Sequence, residues 1–91
     1  MKISTKTVLV GFDGKTLMSD VGEITIGFIL SKILGSEKST DPLKSFVLAQ
    51  KFFSQEEVEL DASDKIFVKE AIKASQAWTP IITGQLLINL E

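Results

Sequence analysis

Apolar residues recur at helical spacing in four segments of the chain, and these segments predict four short helices. The first segment extends from Thr25 to Leu34 and is followed by Gly35, the residue type that most often ends a helix. We therefore expect Gly35 to be the C-cap. The stripe expected to face the core consists of Ile26, Ile29, Leu30, Ile33 and Leu34.

The second helix is predicted to begin at Asp41-Pro42 and to run to about Ser54. Asp is a good N-cap, and Pro suits the first helical position because it has no N–H to leave unpaired. Leu48 and Phe52 widen its apolar arc, so we expect this helix to be covered on more than one side. The main apolar face is predicted to be Leu43, Phe46, Val47 and Phe53.

The third helix is predicted to follow a cap at Asp61 or Ser63 and to extend to about Gln76. Trp78 follows the helix end, and we expect it to fill the core at a helix junction rather than to anchor a partner. The predicted buried stripe is Phe67, Ala71 and Ala74, with Val68 beside it.

The fourth helix, from Pro80 to about Leu90 after the cap-then-proline pair Thr79-Pro80, is apolar on two sides. A helix of this kind must be buried on two sides, and small domains seldom enclose a whole helix. We therefore expect the second side to contact another copy or a partner, with enclosure by its own domain as the alternative. The two sides are Ile82, Leu86 and Leu90, and Ile81, Gly84 and Ile88.

Extended structure is predicted at two places. Residues 7–18 should form a β-hairpin around the turn dipeptide Asp13-Gly14, and the loop Ser19-Asp20-Val21-Gly22 should follow. Val58-Glu59-Leu60 alternates and is expected to join the hairpin as a third strand. The predicted fold is α+β: a single domain over residues 1–91, with four short helices around one core and a small antiparallel hairpin or three-stranded sheet.

The composition removes most of the side chains that carry catalysis. The 91 residues include no Cys, His or Tyr, and all ten basic residues are Lys. Disulfides, thiolate nucleophiles and the usual general base at neutral pH are therefore absent. No Ser or Thr has a Lys three residues later, so the serine–lysine spacing is missing as well. We expect a protein that is not an enzyme and holds no cofactor or metal.

The charged residues suggest two further surfaces. The first is an acidic cluster that lacks the ligand spacing of a calcium-binding loop. Its carboxylates are expected to stabilise the N-terminus of the third helix through the helix dipole, although they could also attract a basic partner. The cluster consists of Glu56, Glu57, Glu59, Asp61 and Asp64. Lys65, Lys69 and Lys73 recur every four residues and could face nucleic acid, but the absence of Arg favours a solvated face. The net charge of −2 gives no general attraction to nucleic acid or membranes, and no apolar run is long enough for a signal peptide or a membrane span.

Several runs together resemble small accessory proteins of tailed bacteriophages and prophages. They are Met1-Lys2-Ile3-Ser4-Thr5-Lys6, Phe12-Asp13-Gly14-Lys15, Gly22-Glu23-Ile24-Thr25-Ile26-Gly27, Glu57-Val58-Glu59-Leu60-Asp61 and Gly84-Gln85-Leu86-Leu87. The resemblance implies a phage gene product in the cytoplasm of a bacterial host or in the virion. It also implies one of two roles, an assembly component or an inhibitor of a host protein. With the missing catalytic side chains and the two-sided fourth helix, we expect a non-enzymatic protein that acts by protein–protein contact and forms a homo-oligomer. The alternative is a nucleic-acid-associated regulator that uses the lysine face of the third helix.

Overall fold

Three short strands precede two helices, and a fourth strand separates these from two further helices, in the computed structural model, which describes residues 1–20 and 22–91. Within these ranges the helices are α1 (Ile26–Ser36), α2 (Pro42–Ser54), α3 (Ala62–Ala74) and α4 (Pro80–Asn89). The strands are β1 (Lys2–Ser4), β2 (Met18–Ser19), β3 (Gly22–Glu23) and β4 (Glu57–Glu59). The α+β prediction with four helices is confirmed.

The strand predicted at residues 58–60 forms as β4, but its expected pairing with the hairpin is wrong. It pairs antiparallel with β1, so that Ile3 lies opposite Val58 and both are buried. Lys2 lies opposite Glu59 in this register, and cross-strand pairs of opposite charge are favourable. Both strands alternate polar, apolar and polar residues, and their pairing therefore buries one apolar side chain from each.

The predicted hairpin forms around its turn, with Val10 paired to Thr16. Gly14 adopts a φ of +80°, which the turn requires and which side chains disfavour. The expected loop after the hairpin is instead partly paired, because β2 and β3 run antiparallel and place Ser19 opposite Gly22. Val21, which was part of that predicted loop, lies outside the described residues.

Helix α1 buries its whole predicted stripe and begins at the N-cap Thr25, whose hydroxyl accepts from the Phe28 amide at 3.2 Å. The prediction for Gly35 is wrong: Gly35 lies inside the last turn of α1 rather than at its cap. A Cβ at Gly35 would lie 3.4 Å from the Cβ of Ala49, so this position is where α2 approaches α1. A small residue there permits close packing of the two helices.

Helix α3 has a shorter and different buried stripe from the predicted one. It ends at Ala74, and its buried residues are Val68 and Ile72, whereas Phe67 and Ala71 are half-buried. The buried stripe is thus shifted by one residue toward the C-terminus, from Phe67 and Ala71 to Val68 and Ile72, and this shift leaves Ala74 exposed.

Helix α4 buries Ile82, Leu86 and its C-cap Leu90 as predicted, and half-buried Trp78 packs against the core. The buried apolar residues form a hydrophobic cluster to which all four helices contribute. No helix in the described part of the chain is long and apolar enough to cross a membrane.

Candidate interaction surface

Helix α2 presents a row of large apolar side chains to solvent. They are Leu43, Phe46, Val47 and Phe53, the predicted main apolar face of this helix. The expectation that α2 is covered on more than one side is wrong, because the rest of the chain leaves these four residues exposed. The exposed fractions are 73% for Leu43, 58% for Phe46, 40% for Val47 and 81% for Phe53. We call these four residues, with the exposed Gln50 between them, the outer face of α2.

The opposite side of α2 is the one that packs on the protein. Its buried residues are Ser45, Leu48, Ala49 and Phe52. Ser45 and Ala49 are small, and the Ser45 hydroxyl donates a hydrogen bond to the Leu34 carbonyl of α1. Small residues let the two helix backbones approach closely, and Phe46 or Phe53 in those places would hold them apart. The helix therefore buries its mixed face and exposes its more apolar one.

Local signals fix where α2 begins and ends. The Asp41 carboxylate accepts from the Lys44 amide at 3.1 Å, and Pro42 occupies the first turn, as predicted. The Gln55 amide donates to the Lys51 carbonyl at 2.9 Å and closes the last turn. The outer face is therefore carried by a well-capped helix of 13 residues, which holds its side chains in fixed relative positions.

A shallow groove of about 290 Å³ runs along one side of the outer face. Leu43, Val47 and Leu48 supply its apolar lining. Its charged lining has both signs: Asp41, Lys44, Lys51 and Asp64.

Lys44 connects α2 to α3 at this groove. Its ammonium lies 3.4 Å from an Asp64 carboxylate oxygen and donates to the Ser63 hydroxyl at 3.1 Å. It also lies 5.2 Å from the centre of the Phe67 ring, within cation–π distance. These contacts hold the side chain of Lys44 beside the groove and neutralise its charge within the protein.

A second cavity, of about 410 Å³, lies at the C-terminal end of α2 and is lined in part by Phe53 and Phe28. Lys6 and Glu56 form an ion pair at its edge, with the two charged atoms 2.7 Å apart. The hydrogen bond from Lys6, reinforced by its positive charge, lowers the pKa of Glu56 below the ordinary value for a glutamate. Glu56 therefore stays ionised to lower pH than an unpaired glutamate would.

A third cavity, of about 480 Å³, lies between the end of α1, residues 37–40 and α3. The Glu37 carboxylate on its wall accepts a hydrogen bond from the Ser75 hydroxyl at 2.7 Å. Ser45, also on the wall, is already bonded to the Leu34 carbonyl. Glu37 and Ser45 on this wall are thus both bonded within the chain.

The acidic cluster is divided among several contacts. Asp61 caps α3 and forms a capping box with Asp64, in agreement with the helix-terminus interpretation. Glu56 binds Lys6, and Glu59 lies 3.5 Å from the N-terminal ammonium. Glu57 is exposed on β4. Most of these carboxylates therefore have a positive or N–H partner within the chain.

The lysines of α3 do not form an evenly exposed stripe. Lys73 is exposed, whereas Lys65 and Lys69 are half-buried. Glu70 is exposed on the same helix. The predicted lysine face thus consists of one exposed residue and two half-buried ones.

The second side of α4 is only partly available. Ile88 is 68% exposed, but Ile81 is half-buried and packs against the core. A Cβ added at Gly84 would meet open space. The Gln85 side chain covers part of this side, because its amide donates to the Val10 carbonyl at 2.7 Å and accepts from the Val10 amide at 3.0 Å.

The exposure of the outer face of α2 was not predicted from the sequence. The signal was present, since Leu48 and Phe52 lie on one side of α2 and Phe46 and Phe53 on the other. One of these two apolar sides had to remain exposed to solvent unless the chain covered both. The other strongly exposed apolar residues are separated from one another, such as Phe12 at the hairpin turn and Ile66 on α3, and single exposed residues are ordinary.

Among the described residues, no group of three or more carboxylate side chains is placed to hold a metal ion. The chain has no His or Cys to supply other common ligands. Within residues 1–20 and 22–91, each buried side-chain nitrogen or oxygen has a hydrogen-bond partner, so no unpaired buried polar atom marks a ligand site there. No protein-family model matches the chain, and no curated protein or solved structure is significantly similar to it.

Proposed function

We propose that this chain is a non-enzymatic protein that acts by binding protein, and that the outer face of α2 is its principal contact surface. The observation that carries the proposal is the exposure of Leu43, Phe46 and Phe53 in a row on one helix. Contiguous apolar patches on a folded domain mark interaction sites, because leaving them in water is unfavourable.

The shape of the surface favours a protein partner. A regular helix with apolar residues three, four and seven positions apart can pack against another helix or lie in a groove. Aromatic residues are enriched at the centres of protein interfaces, and Phe46 and Phe53 are of this type. A nucleic acid would instead need several exposed cations, and of the three lysines of α3 Lys73 is exposed, whereas Lys65 and Lys69 are half-buried.

The setting proposed for this activity is a bacterial cell infected by a phage or carrying a prophage. The resemblance to small phage accessory proteins supports this setting. The protein would inhibit a host protein or take part in particle assembly by occupying a surface.

The experiment compares proteins captured by tagged variants from a bacterial lysate that contains untagged copies of the chain. The test variant carries Phe46→Gln and Phe53→Gln, since glutamine keeps helix propensity and removes the apolar contact. The control is Ile66→Gln, which removes a comparably exposed apolar residue from α3.

We expect the wild type and Ile66→Gln to retain the same proteins in stoichiometric amount and the double variant to lose them. Equal retention by all three chains would show that the outer face of α2 is not the contact surface. Retention of nothing by the wild type would contradict the proposed function itself.

A further inference from the structure

We propose that the occupant of the outer face of α2 is the same face of a second copy, so that the chain forms a two-fold symmetric dimer by packing α2 against α2. This inference rests on the proposed function and specifies the partner at the same surface. In such an isologous contact each copy presents the same patch, so the patch must be complementary to itself.

The charges around the groove have this property. Lys44 and Asp64 pair with each other within the chain, which leaves Lys51 as a positive group and Asp41 as a negative one, beside the apolar lining of Leu43 and Val47. A surface of one sign would repel its own copy and favour a partner of the opposite sign. With one group of each sign left, Lys51 of one copy can approach Asp41 of the other.

The centre of the outer face is free of charge. Gln50 lies between the apolar residues, and Ser54 follows it one turn later on the same side. No ion would have to be buried without a partner when two such faces meet, and uncompensated burial of charge is the main cost that prevents apolar faces from pairing. The net charge of −2 per chain adds only weak repulsion between copies.

The available area suits a small dimer. Phe46 and Phe53 are 58% and 81% exposed, which corresponds to roughly 250–300 Å² of aromatic surface per copy. The two copies would thus bury roughly 500–600 Å² from phenylalanine alone, close to half of the ~1,200 Å² at the lower limit for stable interfaces. Leu43, Val47 and the polar residues beside them supply the remainder.

The first test is the mass of the purified protein in solution, measured by sedimentation from micromolar to millimolar concentration. We expect the wild type and Ile66→Gln to reach the mass of two 10.0 kDa chains and the Phe46→Gln, Phe53→Gln double variant to remain a single chain. Unchanged circular dichroism of the double variant shows that its fold is intact. Ile88→Gln reports on the second side of α4 and should still form the dimer.

The second test uses the absence of cysteine from the chain. Gln50→Cys places one thiol near the middle of the outer face, where the two-fold axis of an α2–α2 contact would bring it near its own copy. Mild oxidation should link it into a dimer, since a disulfide forms when the two Cα atoms are about 4.4–6.8 Å apart. Glu70→Cys, exposed on α3, is the matched control and should stay monomeric.

A wild type that is monomeric at every concentration would overturn the self-pairing, and lysate capture that depends on Phe46 and Phe53 would then still support the proposed function. A dimer that survives the double variant but is lost in Ile88→Gln would place the contact on α4 and also overturn it. Cross-linking of Gln50→Cys no faster than that of Glu70→Cys would have the same consequence.

Discussion

Three glycines lie within helices, and two of them, Gly27 and Gly84, differ in what a side chain would meet there. A Cβ at Gly27 would lie 2.6 Å from the Cβ of Thr5 and 2.8 Å from the Phe52 carbonyl oxygen. Nothing lies within 4 Å of the corresponding position at Gly84. Gly27 is therefore required for the contact of α1 with residue 5 and with α2, whereas Gly84 only weakens α4.

Substitution of each glycine by alanine should change stability in opposite directions. Gly27→Ala should lower the free energy of unfolding by about 1–3 kcal/mol, because the backbone at Phe52 must move. Gly84→Ala should raise it by about 0.5–1 kcal/mol through helix propensity. Urea denaturation at a fixed protein concentration measures both. A Gly27→Ala variant as stable as the wild type would show that the contact at Thr5 relaxes freely.

The exposed pair of Lys6 and Glu56 predicts a dependence on pH with a definite sign. The pKa of Glu56 is lowered in the folded protein, so its contribution to stability is present above the ordinary pKa of glutamate and is lost as pH falls through the lowered value. Lys6→Gln should raise the pKa of Glu56 toward the ordinary value, as measured by carboxyl ¹³C titration. An unchanged pKa would mean that Lys6 does not bind Glu56 in solution.

At the scale of elements, one side chain attaches the hairpin to α4. Val10 turns its N–H and C=O away from Thr16, and the Gln85 amide satisfies both, as a neighbouring strand would. Gln85→Ala should lower the free energy of unfolding by about 1–2 kcal/mol and speed hydrogen exchange at the Val10 amide. Gln85→Glu keeps the acceptor for the Val10 amide but places a carboxylate oxygen against the Val10 carbonyl oxygen, so it should protect that amide less well than the wild type. Equal exchange in the wild type and the alanine variant would contradict this role.

Helix positions could be read from the sequence because their signals are local. Asp41-Pro42 and Asp61 each form the expected cap within three residues of the chain. Strand partners could not be read in the same way. The pairing of Ile3 with Val58 joins residues 55 positions apart, and an alternating triplet such as 57–59 fits several partners equally well.

Which face α2 buries could not be predicted from the local sequence pattern either. Hydrophobicity alone favours burial of Phe46 and Phe53, yet close packing against α1 selects Ser45 and Ala49. The choice depends on how near Gly27 and Gly35 let the α1 backbone come, which is a property of two helices together. The sequence therefore shows that α2 carries more apolar residues than one side can bury, but it does not show which side is exposed.

At the scale of the whole molecule, the charge distribution makes nucleic-acid binding a testable alternative. The chain has a calculated isoelectric point of about 5.1, and α3 exposes only part of its lysine row. We expect no salt-sensitive retention on heparin at neutral pH. Retention that falls steeply as salt is added would instead indicate binding through Lys65, Lys69 and Lys73.

The core uses one side of each helix, and within residues 1–20 and 22–91 no element covers the outer face of α2. The apolar residues that this fold leaves exposed are available for contact, which is the basis of the proposed mode of action.

The most direct measurement is the attenuation of side-chain NMR signals by a soluble paramagnetic probe at high protein concentration. In a single chain Phe53, 81% exposed, should be attenuated more than Ile66, 63% exposed. Contact through the outer face of α2 reverses that order, so that Phe46 and Phe53 are protected while Ile66 and Ile88 remain accessible. Attenuation that follows the exposure of the single chain would contradict the account.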